Sequence, residues 1–131
     1  MAISCAGPWT KVKPGEPIHT FLDIPMDNII ADPEKYKGTV IEDRFKFYQI
    51  YRSKEDVIPE ISKQTIRGET YFTARPINQY IYVIQIRITR GQDKWIRNKG
   101  IHRQDAIKAR VRFAGIAPSG VPAFDLLEIF E

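Results

Sequence analysis

Cysteine is almost absent. Cys5 stands alone in a chain of 131 residues, so no intramolecular disulfide forms and the chain suits a reducing compartment. Histidine is nearly as scarce: His19 and His102 lie far apart. No Cys or His pair has ligand spacing, which removes the sequence case for a bound metal. Long apolar runs are missing as well. The longest uncharged stretch, residues 113–124, is interrupted by Gly115, Pro118, Gly120 and Pro122 and is unfit to span a bilayer. Residues 1–10 lack a basic segment followed by an apolar run, so no secretory signal is expected, and Ala2 excludes N-myristoylation.

Catalytic constellations are missing too. There is no phosphate-binding glycine loop and no dinucleotide fingerprint. Glu42 and Asp43 are neighbours that a strand sends to opposite faces, and Glu55-Asp56 sits in a helix-start pattern; both read as solvated surface. His102 lies three residues before Asp105, a spacing that can orient an imidazole, but no Ser or Cys stands nearby as a nucleophile. The expectation is a non-enzymatic protein with no cofactor and no small-molecule substrate. It would reside in the cytoplasm or nucleus, or in a virion if the source is viral.

What is present favours sheet. The hydrophobic fraction of 43% is that of a globular protein, and the length suits one domain with one core. Seven Phe, six Tyr and two Trp, many beside Val, Ile or Thr, fit a pleated surface. Residues 1–15, with Gly7, Pro8, Trp9, Pro14 and Gly15, read as an N-terminal arm held against the body by Trp9. Residues 16–131 read as a single β-rich domain.

Strands are expected at residues 18–24, 39–52, 65–75, 79–90, 107–113 and 123–130, with short helical turns at 27–31 and after Ser53. In the second strand Phe45, Phe47 and Tyr51 share one face and Lys46, Tyr48, Ile50 and Arg52 the other; both faces carry aromatics, so the strand should be central or covered on both sides. In the fourth, Tyr82, Ile84, Ile86 and Ile88 point inward. Residues 105–110 also admit a helix, but that places Arg110 in the apolar arc, and the strand pattern has no such conflict. Residues 91–106 read as a long exposed loop, which in a small domain is usually functional. The pattern predicts a mainly β fold, a small antiparallel barrel or sandwich of about six strands with one or two short helical turns.

Charge is concentrated. Residues 87–112 hold nine Lys/Arg against two Asp/Glu, while residues 1–86 hold eleven of each sign, so one region supplies the whole excess behind the net +4. On the fifth expected strand, after the loop, Lys108, Arg110 and Arg112 alternate with apolar residues and form a row about 6 to 7 Å apart, close to the phosphate spacing of an extended single strand. Arg87, Arg90, Lys94, Arg97, Lys99 and Arg103 precede them, with Trp95 among them. Basic side chains that follow a backbone, plus an aromatic on which a base stacks, are what single-strand binding requires.

The expected function is therefore nucleic-acid binding, single-stranded by preference, through Arg87, Arg90, Lys94, Trp95, Arg97, Lys99, Arg103, Lys108, Arg110 and Arg112. Three rivals use the same residues. Such a row can be a solvated sheet surface, and a basic loop with Trp95, Ile96 and Ile101 can dip into an anionic membrane surface. Trp9, Trp95 and Ile96 can also contact a second copy of the chain, making a homo-oligomeric structural protein such as a viral matrix, coat or phage tail component.

Overall fold

The computed structural model describes residues 7–51 and 70–130. Alternation in the sequence sets its longest elements. In strand β5 (Ala106–Ile116), Ile107, Ala109, Val111 and Phe113 are buried while Lys108, Arg110 and Arg112 face outward, so strand wins over helix there. The other strands are β1 (Ile18–His19), β2 (Val40–Tyr51), β3 (Thr70–Pro76), β4 (Ile84–Ile88) and β6 (Pro122–Phe130). Their order is β1-β2-β3-β4-β6-β5, and β5 pairs back onto β2. Strands β2, β3, β4, β6 and β5 thus close a barrel, with β1 added in parallel to β2. The β4–β6 pairing is parallel; the other barrel pairings are antiparallel. Closure makes the fold a barrel, not a sandwich. Five strands in this Greek-key order, with a helix between the third and fourth barrel strands, have the arrangement of an OB-fold.

The barrel is filled by phenylalanines. Phe21, Phe45, Phe72, Phe113 and Phe124 are each at most 1% exposed. Phe21 meets Phe45 and Phe124 edge to face at 6.0 and 6.2 Å, and Phe113 meets Phe124 at 5.2 Å. Such ring pairs contribute about 0.5–1.5 kcal/mol each beyond area burial.

Among the described residues three α-helices flank the strands: α1 (Met26–Ala31), α2 (Pro33–Tyr36) and α3 (Arg90–Lys99). Helix α1 stops because Asp32 precedes proline and leaves the helical region, at φ −144° and ψ 70°, and Pro33 then opens α2. The expected first strand is shortened to β1, because residues 20–24 turn, with Asp23 N–H and Ile24 N–H both donating to Thr20 O. The fourth strand starts at Ile84, since Ile77–Gln79 forms a 3-10 turn and Tyr82 is only partly buried. The helix start at Ser53 and residues 65–69 of the expected third strand lie outside the described residues.

Two corrections matter for function. Residues 91–106 are not a loop: most of them are α3, whose start is fixed by a capping box. Gln92 N–H donates to Thr89 Oγ1 and Thr89 N–H donates to Gln92 Oε1. Its end is set by Gly100 at φ 72°, a left-handed position that favours glycine. The second correction concerns β2. Phe47 pairs with Ala74 and Gln49 with Thr73, leaving Tyr48 as an extra residue. Before this bulge the even-numbered residues face out; after it Gln49 and Tyr51 do, while Ile50 packs against the core. Tyr51 is therefore exposed, not buried beside Phe47, while β2 is a central strand, paired with both β3 and β5, as the aromatics on both of its faces led one to expect.

Candidate nucleic-acid interface

The basic segment is divided by the fold. Arg110 donates from Nε and Nη2 to Glu42 Oε1 at 3.0 and 2.7 Å, and Lys108 Nζ lies 3.5 Å from Glu42 Oε2. Arg112 donates from Nη1 to Glu16 Oε2 at 2.7 Å and to the Gly38 carbonyl at 2.9 Å. The Arg112 hydrogen bond holds the Glu16 carboxyl below its ordinary value. The arginine row is thus largely matched by carboxylates from β2 and from residue 16. Arg87 pairs with Asp125 on β6.

On α3, Arg90 and Lys94 are exposed, Arg97 Nε is 3.5 Å from Asp93 Oδ1, and Lys99 Nζ lies 5.4 Å over the Trp95 ring. Trp95 does not stand in a loop; it meets Trp9 edge to face at 4.8 Å. The same arm is tied by the buried Gln92, whose Nε2 donates to Pro8 O and Leu126 O, both at 3.0 Å. The expected pinning of the arm by Trp9 is what the structure has. Ile96 is 1% exposed and belongs to the core.

Arg103 and Arg87 are the segment's links to a different surface. Residues 102–105 turn back onto β2, where Phe47 N–H donates to Asp105 O and Gln104 N–H to Phe47 O. This brings the Arg103 guanidinium 5.5 Å over the Tyr48 ring. Arg75 lies 5.8 Å over the same ring and 5.2 Å over Tyr80, and Lys46 Nζ lies 5.6 Å over Tyr80. Arg75 also donates from Nη1 to Tyr80 O at 2.7 Å, which fixes the turn that carries that ring. The hydroxyls of Tyr48 and Tyr80 are hydrogen-bonded to each other.

Farther along the same face, Tyr51 and Tyr71 stack at 5.3 Å as cross-strand partners, and Arg87 on β4 is opposite Tyr71. Tyr48, Gln49, Tyr51, Thr73, Arg75, Val83 and Arg103 line an open pocket of about 280 Å³.

The electrostatics of this face are unusual for a sheet surface. Lys46 and Arg75 are directly opposite across β2 and β3, an arrangement that like charges destabilise. Neither has a carboxylate within ion-pair distance among the described residues. The Tyr48 phenol is held above its ordinary value, chiefly by the hydrogen bond to Tyr80 and then by partial desolvation, against the pull of Arg75 and Arg103. It therefore stays neutral beside the Arg75 and Arg103 guanidiniums.

This face is not legible in the sequence, because its rings come from three separate segments and each tyrosine reads as an ordinary strand former. The available signal was the outward set of the third strand, Tyr71, Thr73 and Arg75. Among the described residues no three His, Cys, Asp or Glu gather as metal ligands, and no helix is long and apolar enough to cross a membrane.

No protein-family model matches the chain, and no curated protein matches it in sequence. In structure it is similar to a proposed nucleic acid-binding lipoprotein from Klebsiella pneumoniae, with a TM-score of 0.53. That likeness covers 90% of this chain and 94% of the other at 13% identity. At that identity the likeness is one of fold. Fold and surface together define a small closed barrel with an aromatic, basic outer face.

Proposed function

We propose that this protein binds single-stranded nucleic acid on the outer face of β2 and β3. Lys46, Arg75 and Arg103 take the phosphates, and the tyrosine pairs 48/80 and 51/71 take the bases. The observation that carries this reading is the Lys46–Arg75 juxtaposition: two like charges opposite one another, without a carboxylate within ion-pair distance among the described residues, over an aromatic ring. The arrangement costs stability in the empty protein, and a bound phosphate relieves it. Barrels of this architecture use the outer face of their second and third strands, here β3 and β4, for oligonucleotides. The Klebsiella protein of similar fold is itself a proposed nucleic acid-binding lipoprotein. Arg90 and Lys94 on α3 contribute to the positive field that attracts a polyanion.

Binding of fluorescent single-stranded oligonucleotides, followed by anisotropy across a salt series, tests the reading. Three phosphate contacts give a log–log slope of roughly −2, and Tyr48→Ala weakens binding by about 1–3 kcal/mol per lost stack without changing that slope. A slope near zero, or a duplex of the same sequence competing equally well, would remove it.

A further inference from the structure

The basic surface does not end at the tyrosines. On the other side of Lys46, Arg44 of β2 stands directly opposite Lys108 of β5, a second like-charge pair. Lys108 in turn is opposite Phe130 of β6. The Lys108 ammonium lies 6.0 Å and the Arg110 guanidinium 5.2 Å over the Phe130 ring. Glu42 serves both cations, so one carboxylate meets two positive charges there. Beyond Phe130 is an open pocket of about 250 Å³, with Trp95, Ile101, Ile107 and Ile129 among its lining residues and Lys99 at its rim. Asp105 also borders it, with Oδ2 engaged by the His102 N–H at 2.7 Å.

We propose that the pocket between Trp95 and Phe130 is a second stacking station for the same nucleic-acid strand, reached over Arg44 and Lys108. This rests on the single-strand function above. The strand then crosses from β3 over β2 and β5 to the end of β6, three interstrand steps or roughly 14 Å, leaving the β3–β4 side that such barrels ordinarily use. A base in the pocket gains an aromatic floor, and its phosphates pass over the Arg44–Lys108 pair, whose mutual repulsion they offset. A solvated surface accounts for scattered cations. It does not account for two cross-strand like-charge pairs in line between two aromatic stations.

The test is binding of oligothymidylates from roughly 4 to 16 nucleotides, the range of site sizes for one such barrel, to the intact chain. Parent affinity is expected to rise in two stages with length. Phe130→Ala and Lys108→Gln each abolish the second stage, with Phe130→Ala weakening the long oligomers about tenfold and leaving the shortest unchanged. In a Trp9→Phe background, Trp95 fluorescence is quenched only by the longer oligomers. Lys108→Gln removes no core atom, so it guards against a folding effect of Phe130→Ala. The second station is overturned if both variants bind long oligomers within about twofold of the parent, or weaken all lengths equally. If Tyr48→Ala weakens every length while Phe130→Ala weakens none, only the second station falls. If no oligomer binds, the function falls with it.

Discussion

Lys46→Gln separates binding from folding. Its ammonium is directly opposite Arg75 and 5.6 Å over the Tyr80 ring. Removing the like-charge neighbour returns about 0.2–1 kcal/mol to the folded state, while losing an exposed cation–π contact costs about 0.5–1 kcal/mol. The two nearly cancel, so the melting temperature should stay within about 4 °C of the parent. Binding has no such compensation. One charge-assisted phosphate contact is lost, about 1.5 kcal/mol or roughly tenfold at low salt, and the log–log salt slope becomes shallower by about 0.7. Thermal unfolding by circular dichroism and anisotropy titrations at several salt concentrations measure the two quantities on one sample. An unchanged slope with unchanged affinity would show that Lys46 meets no phosphate. A large fall in melting temperature would show that the residue is a structural element and the like-charge argument mistaken.

Two further predictions concern the frame that holds the site. Gln92→Leu removes three hydrogen bonds at 2.9, 3.0 and 3.0 Å and should destabilise by roughly 3–5 kcal/mol. The near-ultraviolet signal of the Trp9–Trp95 pair should weaken with it; urea unfolding that matches the parent would refute the clasp. Glu16→Gln addresses acid stability. Because Arg112 depresses the Glu16 carboxyl below its ordinary 4.5, its contribution is present above that value and is lost as pH falls through the lower, folded-state one. The variant should therefore flatten the acid side of a stability–pH curve measured by urea unfolding, and an identical acid limb would count against the ion pair.

The strands were legible where one face was apolar without exception, as at Ile107, Ala109, Val111 and Phe113. Helix α3 was not, because its buried face includes Gln92 and Asp93 as well as Ile96, so apolar periodicity is thin. Its true markers were the Thr89 and Gln92 pair at capping-box spacing and Gly100 after the last turn. The positive excess of residues 87–112 was visible, but its neutralisation was not. Glu42 is 68 positions from Arg110, and Glu16 is 96 from Arg112. Arg103 was named from its charge alone; only the pairing of residues 104 and 105 with Phe47 puts it beside Tyr48. Tyr48, Tyr51, Tyr71 and Tyr80 became a surface only through strand register and the turn at residue 80.

The bulge in β2 has a consequence for how such a surface changes over time. In a regular strand, Tyr48 and Tyr51 would lie on opposite sides, since their spacing is odd. One unpaired residue puts both in the solvent and keeps Phe45, Phe47 and Ile50 within the barrel. Deleting that residue, with no substitution at all, would restore the two-residue rhythm, remove the Tyr48 ring and leave Gln49, Ile50 and Tyr51 on the sides they now occupy. The aromatic make-up of this face is therefore open to revision by single-codon insertion or deletion. The distance between neighbouring tyrosines along the chain, read against the position of the bulge, becomes a trait to follow among descendants of this protein.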